Sequence, residues 1–174
     1  MAEFPPPSLQ PLIQEVFDLL KARNETISVA ETAAGGLISA CLISAPGASA
    51  IYKGGLTVYT LQSRIEFAGW TSENLNNYEG PTIEIVAGMA DHTRRTLGST
   101  YAVSESGTAG PSGRGATRNR TPGYVAVAVS SAQGSVTREI ETGSNNRAEN
   151  MVAFARETLR LLRDILSQIE TPYL

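Results

Sequence analysis

The sequence predicts an α/β fold, a three-layer α/β/α sandwich built around a mixed sheet. Three observations predict it. Segments with helical apolar spacing alternate with short β-rich runs along most of the chain. Two of the β-rich runs end in glycine turns, and the first turn leads straight into a helical pattern. A late pair of β-rich runs, separated by a tight turn, reads as a hairpin and adds antiparallel strands to an otherwise parallel sheet. At 174 residues the chain suits one domain with one core.

The opening residues include Pro5, Pro6, Pro7 and Pro11. They are expected to form a flexible arm over residues 1–11, leaving 12–174 as the single domain. Leu12, Ile13, Val16, Leu19 and Leu20 then repeat at helical spacing, so an amphipathic helix should end near Asn24. A β-branched run from Thr26 to Val29 leads to Glu31, and Thr32, Ala33 and Ala34 lead into Gly35-Gly36. Leu37, Ile38, Cys41 and Leu42 resume helical spacing, with Cys41 on the apolar face. After a Pro46-Gly47 turn, Gly55 to Thr60 alternates and reads as a second strand.

A short helix is expected over 61–68 and a polar connection over 71–80. Pro81 fits the first turn of a helix whose buried face is Ile83, Val86, Ala87, Ala90 and Leu97. Tyr101 to Ser106 is a third strand, followed by the loop Gly107 to Gly115 and a basic, polar run over 116–121. Tyr124–Val129 and Ser135–Glu141 bracket a turn and form the hairpin. A long amphipathic helix closes the chain, from about Asn146 to Ile169.

Composition excludes several function classes. A net charge of −3 gives no electrostatic footprint for nucleic acid or an anionic membrane. One cysteine and one histidine allow no internal disulfide and argue against a structural zinc site, so neither a metal nor a cofactor is expected. No apolar run approaches the ~20 residues of a membrane span, and the start lacks the regions of a secretory signal. A cytoplasmic protein with a small-molecule ligand is the expectation.

The candidate site lies where the two glycine loops meet. A strand that stops at a glycine turn and opens a helix leaves unpaired N–H groups facing the space beyond it, and glycine admits a ligand close to the backbone. The second loop, Ser106-Gly107-Thr108-Ala109-Gly110-Pro111, follows a strand in the same way. Two such strand ends make one crevice at the carboxyl edge of a sheet, suited to phosphate or carboxylate. Its binding residues are Glu31, Gly35, Gly36, Ser106, Gly107, Thr108 and Gly110, with Arg114, Arg118 and Arg120 as possible cations. Glu31 has two open roles: orienting a ligand hydroxyl, or pinning the loop's own N–H groups. Glu105, between Ser104 and Ser106, is either a cleft carboxylate with a shifted pKa, and so an acid/base candidate, or a solvent-facing strand-end residue.

Several motifs together resemble one family. Ala30-Glu31-Thr32-Ala33-Ala34-Gly35-Gly36, Pro46-Gly47-Ala48-Ser49-Ala50, Gly54-Gly55, and Tyr59 five residues before Arg64 look like the C-terminal domain of the competence-damage protein CinA. The Ser106–Pro111 loop matches the family's Ser-Gly-x-Ala-Gly-Pro, and the resemblance runs from about Leu9 to about Leu162. It implies a single α/β/α domain and a homo-oligomer. It also implies hydrolysis of the carboxamide of nicotinamide mononucleotide, with a serine nucleophile and a lysine base.

The chain departs from that pattern at the reacting groups. The family's serine falls on Thr32, its cysteine and threonine on Ala33 and Ala34, and its lysine on Arg64. The threonine methyl stiffens χ1 and crowds attack, and a guanidinium does not accept a proton at any useful pH. If Thr32 attacks, Glu31, Tyr59 or Glu105 must take its proton. Three readings follow. One is re-purposed acid/base chemistry on a different small molecule, through Glu105, Tyr59 or Glu31. Another is slow amide hydrolysis through Thr32. The third is a binding module without turnover. In all three, Arg64 is expected to face the pocket and pair with a carboxylate or with the ligand's anion.

Overall fold

Alternating apolar spacing resolves into five strands and six helices in the computed structural model, which describes residues 3–113 and 115–168. The strands are β1 (Ile27–Glu31), β2 (Tyr52–Thr57), β3 (Tyr101–Gly107), β4 (Tyr124–Ser131) and β5 (Gly134–Glu141). The helices are α1 (Gln10–Ala22), α2 (Leu37–Ile43), α3 (Leu61–Phe67), α4 (Ser72–Asn76), α5 (Ile83–Leu97) and α6 (Arg147–Gln168). The sheet order is β2-β1-β3-β4-β5. β1 runs parallel to both β2 and β3, while β3–β4 and β4–β5 are antiparallel. The mixed sheet and the three layers are as expected.

Strand parity sorts the core onto two faces. Val29, Val103, Val125, Val127 and Val129 pack with α1, α2 and α6. Ala30, Ala102, Ala126 and Ala128 pack with α5 on the other side. The alanines on that second face let a single helix lie close to the sheet. β1 is flanked by β2 and β3, whose connections leave on opposite sides, so the carboxyl ends of the three parallel strands form a switch point where a crevice opens.

Several boundaries differ from expectation for identifiable reasons. Residues 1–11 are not all arm: Leu9 is fully buried in the core, and α1 takes in Gln10 and Pro11 because proline is tolerated in a helix's first turn. β2 begins at Tyr52 and ends at Thr57, earlier than the alternation suggested. Gly55 is required there, since a Cβ would lie 2.7 Å from Ser39 Oγ and Tyr52 Oη. The chain leaves the sheet by Tyr59 because Thr60 caps α3, its hydroxyl accepting the Ser63 N–H at 3.2 Å.

The polar connection contains α4, started by reciprocal bonds between Thr71 and Asn74. Thr82 caps α5, which leaves Pro81 outside it, and Leu97 is exposed rather than buried. Cys41 is buried in the core as expected. The expected C-terminal residue Ile169 lies outside the described residues. No helix among the described residues is long and apolar enough to cross a membrane.

Candidate functional site

Segments following all three parallel strands converge on a cleft of about 580 Å³. Thr32 and Ala33 come from the turn after β1, Tyr59 and Arg64 from the segment after β2, and Gly107 to Gly110 from the loop after β3. Thr32 and Thr108 therefore share one cavity, and the two glycine loops meet as the sequence suggested. Tyr78, Arg120 and Arg147 complete the wall. Among the described residues, no cluster of His, Cys, Asp or Glu is placed to hold a metal ion.

A chain of polar groups forms the floor. The Thr32 hydroxyl donates to Ser106 Oγ at 3.2 Å, and Arg64 Nη2 approaches the same oxygen at 3.5 Å, the outer limit of a hydrogen bond. All three residues are buried, Arg64 at 4 % exposure. Arg64 Nε donates to Val58 O at 3.4 Å, and Nη1 has no partner. The guanidinium lies beside two neighbouring rings, 5.0 Å from Trp70 and 5.3 Å from Tyr78, whose centroids are 5.8 Å apart. These faces attract a cation, and they take the place of the carboxylate partner expected within the protein. Ser106 stands behind the wall, joining Thr32 to Arg64, rather than in the cleft.

Both carboxylates credited to the site turn out to hold backbone. Glu31 Oε2 accepts the N–H groups of Gly36 (3.1 Å) and Ile38 (2.9 Å), and Oε1 accepts Ser39 N–H and Oγ–H, each at 2.8 Å. Of its two open roles it takes the second. It supplies the negative charge at the start of α2, so that end is closed to a ligand anion. Gly35 and Gly36 likewise serve the turn, with φ of +70° and +95°, and neither lines the cleft.

Glu105 is fully buried and faces the opposite side of β3 from Ser104 and Ser106, neither in solvent nor in the cleft. Its Oε1 accepts the N–H groups of Thr32 (2.6 Å) and Ala34 (2.8 Å), while Oε2 is unpartnered. Glu105 thus positions the turn that presents Thr32 and does not line the cleft.

Burial pushes the Glu105 carboxyl up to about 7, with the two N–H bonds and Arg64 opposing and Glu31 assisting. An acid raised in the folded state stabilises fully below its ordinary value near 4.5, and that contribution is lost as pH rises through about 7. At about 1.4 kcal/mol per pH unit the loss is up to about 3 kcal/mol. Glu105→Gln keeps the acceptor for both N–H groups and should remove that share of the decline. Denaturant unfolding at pH 5 and pH 8 reads it: the variant should gain on the unmodified protein at pH 8 and not at pH 5. Glu31, also raised by burial, remains in both proteins.

The other expected residues divide between ligand wall and scaffold. Tyr59 sits at the rim, 60 % exposed, its hydroxyl accepting from Arg147 Nη2 at 2.8 Å. Arg147 Nη1 donates to Gly110 O at 2.8 Å, tying the second loop to the rim. The Thr108 hydroxyl donates to Asn119 O at 2.9 Å, so the residue lines the cleft with that proton already used. Gly107 is a packing glycine, because a Cβ would lie 2.6 Å from Tyr124 O and 2.8 Å from the Phe154 ring. Arg120 lines the cleft, whereas Arg118 pairs with Glu139 and Glu141. Arg114 lies outside the described residues.

Sequence reasoning missed Trp70, Tyr78 and Arg147. The aromatics are set in and beside a polar stretch with no apolar period to mark them. Arg147 opens α6.

Fold and site together define a class: an α/β/α domain with a small-molecule-sized crevice at the carboxyl edge of its parallel strands. The chain belongs to the CinA C-terminal domain family, whose model matches residues 9–166. A CinA-like protein of Fervidobacterium nodosum is 35 % identical over 119 residues, which are 68 % of this chain and 29 % of that protein. One of Cytophaga hutchinsonii is 34 % identical over 155 residues, 89 % of this chain and 36 % of that protein. The chain spans about a third of the length of the curated relatives it matches.

Among solved structures, the competence/damage-inducible protein CihA of Agrobacterium tumefaciens superposes with a TM-score of 0.86 at 26 % identity, covering 97 % of this chain and 100 % of that one. The competence damage-inducible protein A of Klebsiella pneumoniae shares the fold, with a TM-score of 0.84 at 22 % identity, covering 92 % and 98 %.

Proposed function

We propose that the cleft binds an anionic, phosphate-bearing small molecule of mononucleotide size, and that it turns over a carboxamide through Thr32 slowly or not at all. The observation that carries this reading is the Thr32–Ser106–Arg64 chain. Attack on a carboxamide needs a hydroxyl that can lose its proton. Thr32 hands its hydrogen bond to Ser106, and the group beyond Ser106 is a guanidinium, which donates and does not accept. The relay therefore has no end.

Binding is supported by the cavity, whose size falls in the ordinary small-molecule range of about 300–1,000 Å³, and by Arg120 and Arg147 in its wall. Re-purposed acid/base chemistry loses both its carboxylates. Glu105 lies behind the turn and Glu31 is saturated by four donors, while Tyr59 is held at the rim by Arg147. Calorimetric titration with nicotinamide mononucleotide, with ammonia release followed in the same sample, tests the reading. Binding should be measurable, with turnover well below the ordinary enzyme range of ~1–10³ per second. Turnover within that range would show that another group activates Thr32. No binding of this mononucleotide or of its carboxylate counterpart would remove the mononucleotide-sized ligand.

A further inference from the structure

Arg64 is the one floor residue whose needs the protein leaves unmet. It lines the cleft, is 4 % exposed, has an unpartnered Nη1, and has no carboxylate within ion-pair distance among the described residues. Its Nη2 and Nε contacts are both long. A buried charge without a counter-charge is costly, and the faces of Trp70 and Tyr78 return only part of that cost. Glu105 does not make up the rest, since it lies across β3 and forms no ion pair with Arg64. The unused hydrogens of the floor belong to the guanidinium: the Thr32 proton is already given to Ser106, and the Val58 carbonyl is already engaged by Arg64.

We propose, resting on the anion-binding reading of the cleft, that the inner end of its ligand is a carboxylate and not a carboxamide, so that the site selects the acid form of a phosphate-bearing small molecule over its amide. A carboxylate offers acceptors on both oxygens and supplies the missing negative charge. A carboxamide turns an NH₂ toward groups that are already donors, which leaves hydrogens unpaired, and a site rejects such a ligand strongly. Replacement of an amine by a guanidinium at position 64 then changes what the pocket reads, from a bond to be cut to a charge to be held. Arg147 and Arg120 also line the cavity and add positive charge for the phosphate, each alongside its hydrogen bonds within the protein.

The test is a matched pair: nicotinamide mononucleotide and the same mononucleotide with its carboxamide replaced by a carboxylate. Each is titrated calorimetrically into the unmodified protein, Arg64→Lys, Arg64→Met and Arg147→Gln, with thermal melts confirming that each variant is folded. The unmodified protein should bind the acid at least about tenfold more tightly than the amide. Arg64→Lys should shrink that ratio several-fold, and Arg64→Met should bring it to about one. If Arg64→Met does not fold, the Arg64→Lys ratio decides. Arg147→Gln should weaken both ligands by the same factor and leave the ratio unchanged. Equal affinities, or a preference for the amide, would overturn the proposal while leaving the cleft reading intact. An acid preference that survives in both Arg64 variants would also overturn it. Failure of both ligands to bind would overturn the cleft reading and the proposal together.

Discussion

The double change Thr32→Ser with Arg64→Lys is expected to raise ammonia release from nicotinamide mononucleotide by about 10³-fold or more over the unmodified protein, with each single change doing little. The expectation follows from proton bookkeeping along the floor. Thr32 already donates to Ser106, and Ser106 already faces residue 64, so the path is laid and only its ends are wrong. A lysine amine in this buried position beside Trp70 and Tyr78 would be desolvated, which favours its neutral, proton-accepting form, although the ring faces oppose this in part. Serine at position 32 removes a methyl from a site that is 2 % exposed and frees the hydroxyl to rotate toward a carbonyl.

A gain of about 10³-fold is about 4 kcal/mol in the barrier, within what hydroxyl-nucleophile enzymes lose when activation is removed. A coupled ammonia assay on the four proteins reads it directly. Full gain from Arg64→Lys alone would show that threonine is a competent nucleophile. A double variant that binds the mononucleotide and releases no ammonia would show that the relay does not run through Ser106.

How far the site was legible depends on which property of a residue was asked for. Position along the chain was enough to bring Thr32 and Thr108 into one cavity, because both glycine loops follow parallel strands and such strands end on the same edge. Direction was the harder part. Glu31 shares strand parity with Val29, and Glu105 with Val103, so both carboxylates point to the face covered by α1, α2 and α6 and into backbone N–H groups. Ser104 and Ser106 take the other parity, which is why Ser106 and not Glu105 meets Arg64. That alternation was present in the sequence but was outweighed by the chemical appeal of a carboxylate at a strand end. Trp70 and Tyr78 were out of reach for another reason. Trp70 reaches Arg64 as the chain turns off the end of α3, its N–H donating to Arg64 O at 3.2 Å, and Tyr78 follows α4, which rests on a Thr71–Asn74 cap inside a polar run with no apolar period. The glycines were legible as turns but not as packing glycines, since what a Cβ would strike at Gly55 or Gly107 depends on neighbours distant in sequence.

Glu31→Ala is expected to cost about 3–5 kcal/mol of stability, the range for removing one partner of a buried charged network. Glu31 is fully buried, and its two oxygens accept four hydrogen bonds from Gly36, Ile38 and Ser39. Its removal strands three N–H groups at the start of α2, together with one hydroxyl, in a space too closed for bulk water to replace it. For a chain of this length such a loss lowers the melting temperature by about 6–20 °C. Glu31→Gln should fall between the two proteins. It keeps an acceptor for Ser39 but turns an NH₂ toward the Gly36 and Ile38 N–H groups, setting donor against donor. Thermal and denaturant unfolding of the three proteins, alongside mononucleotide titration, separates the two roles open to this residue. A scaffold carboxylate loses stability first and binding only as the Thr32 turn loosens. A Glu31→Ala protein that melts near the unmodified one and has lost only its ligand would mean that the carboxylate serves the ligand and that its four internal bonds are dispensable.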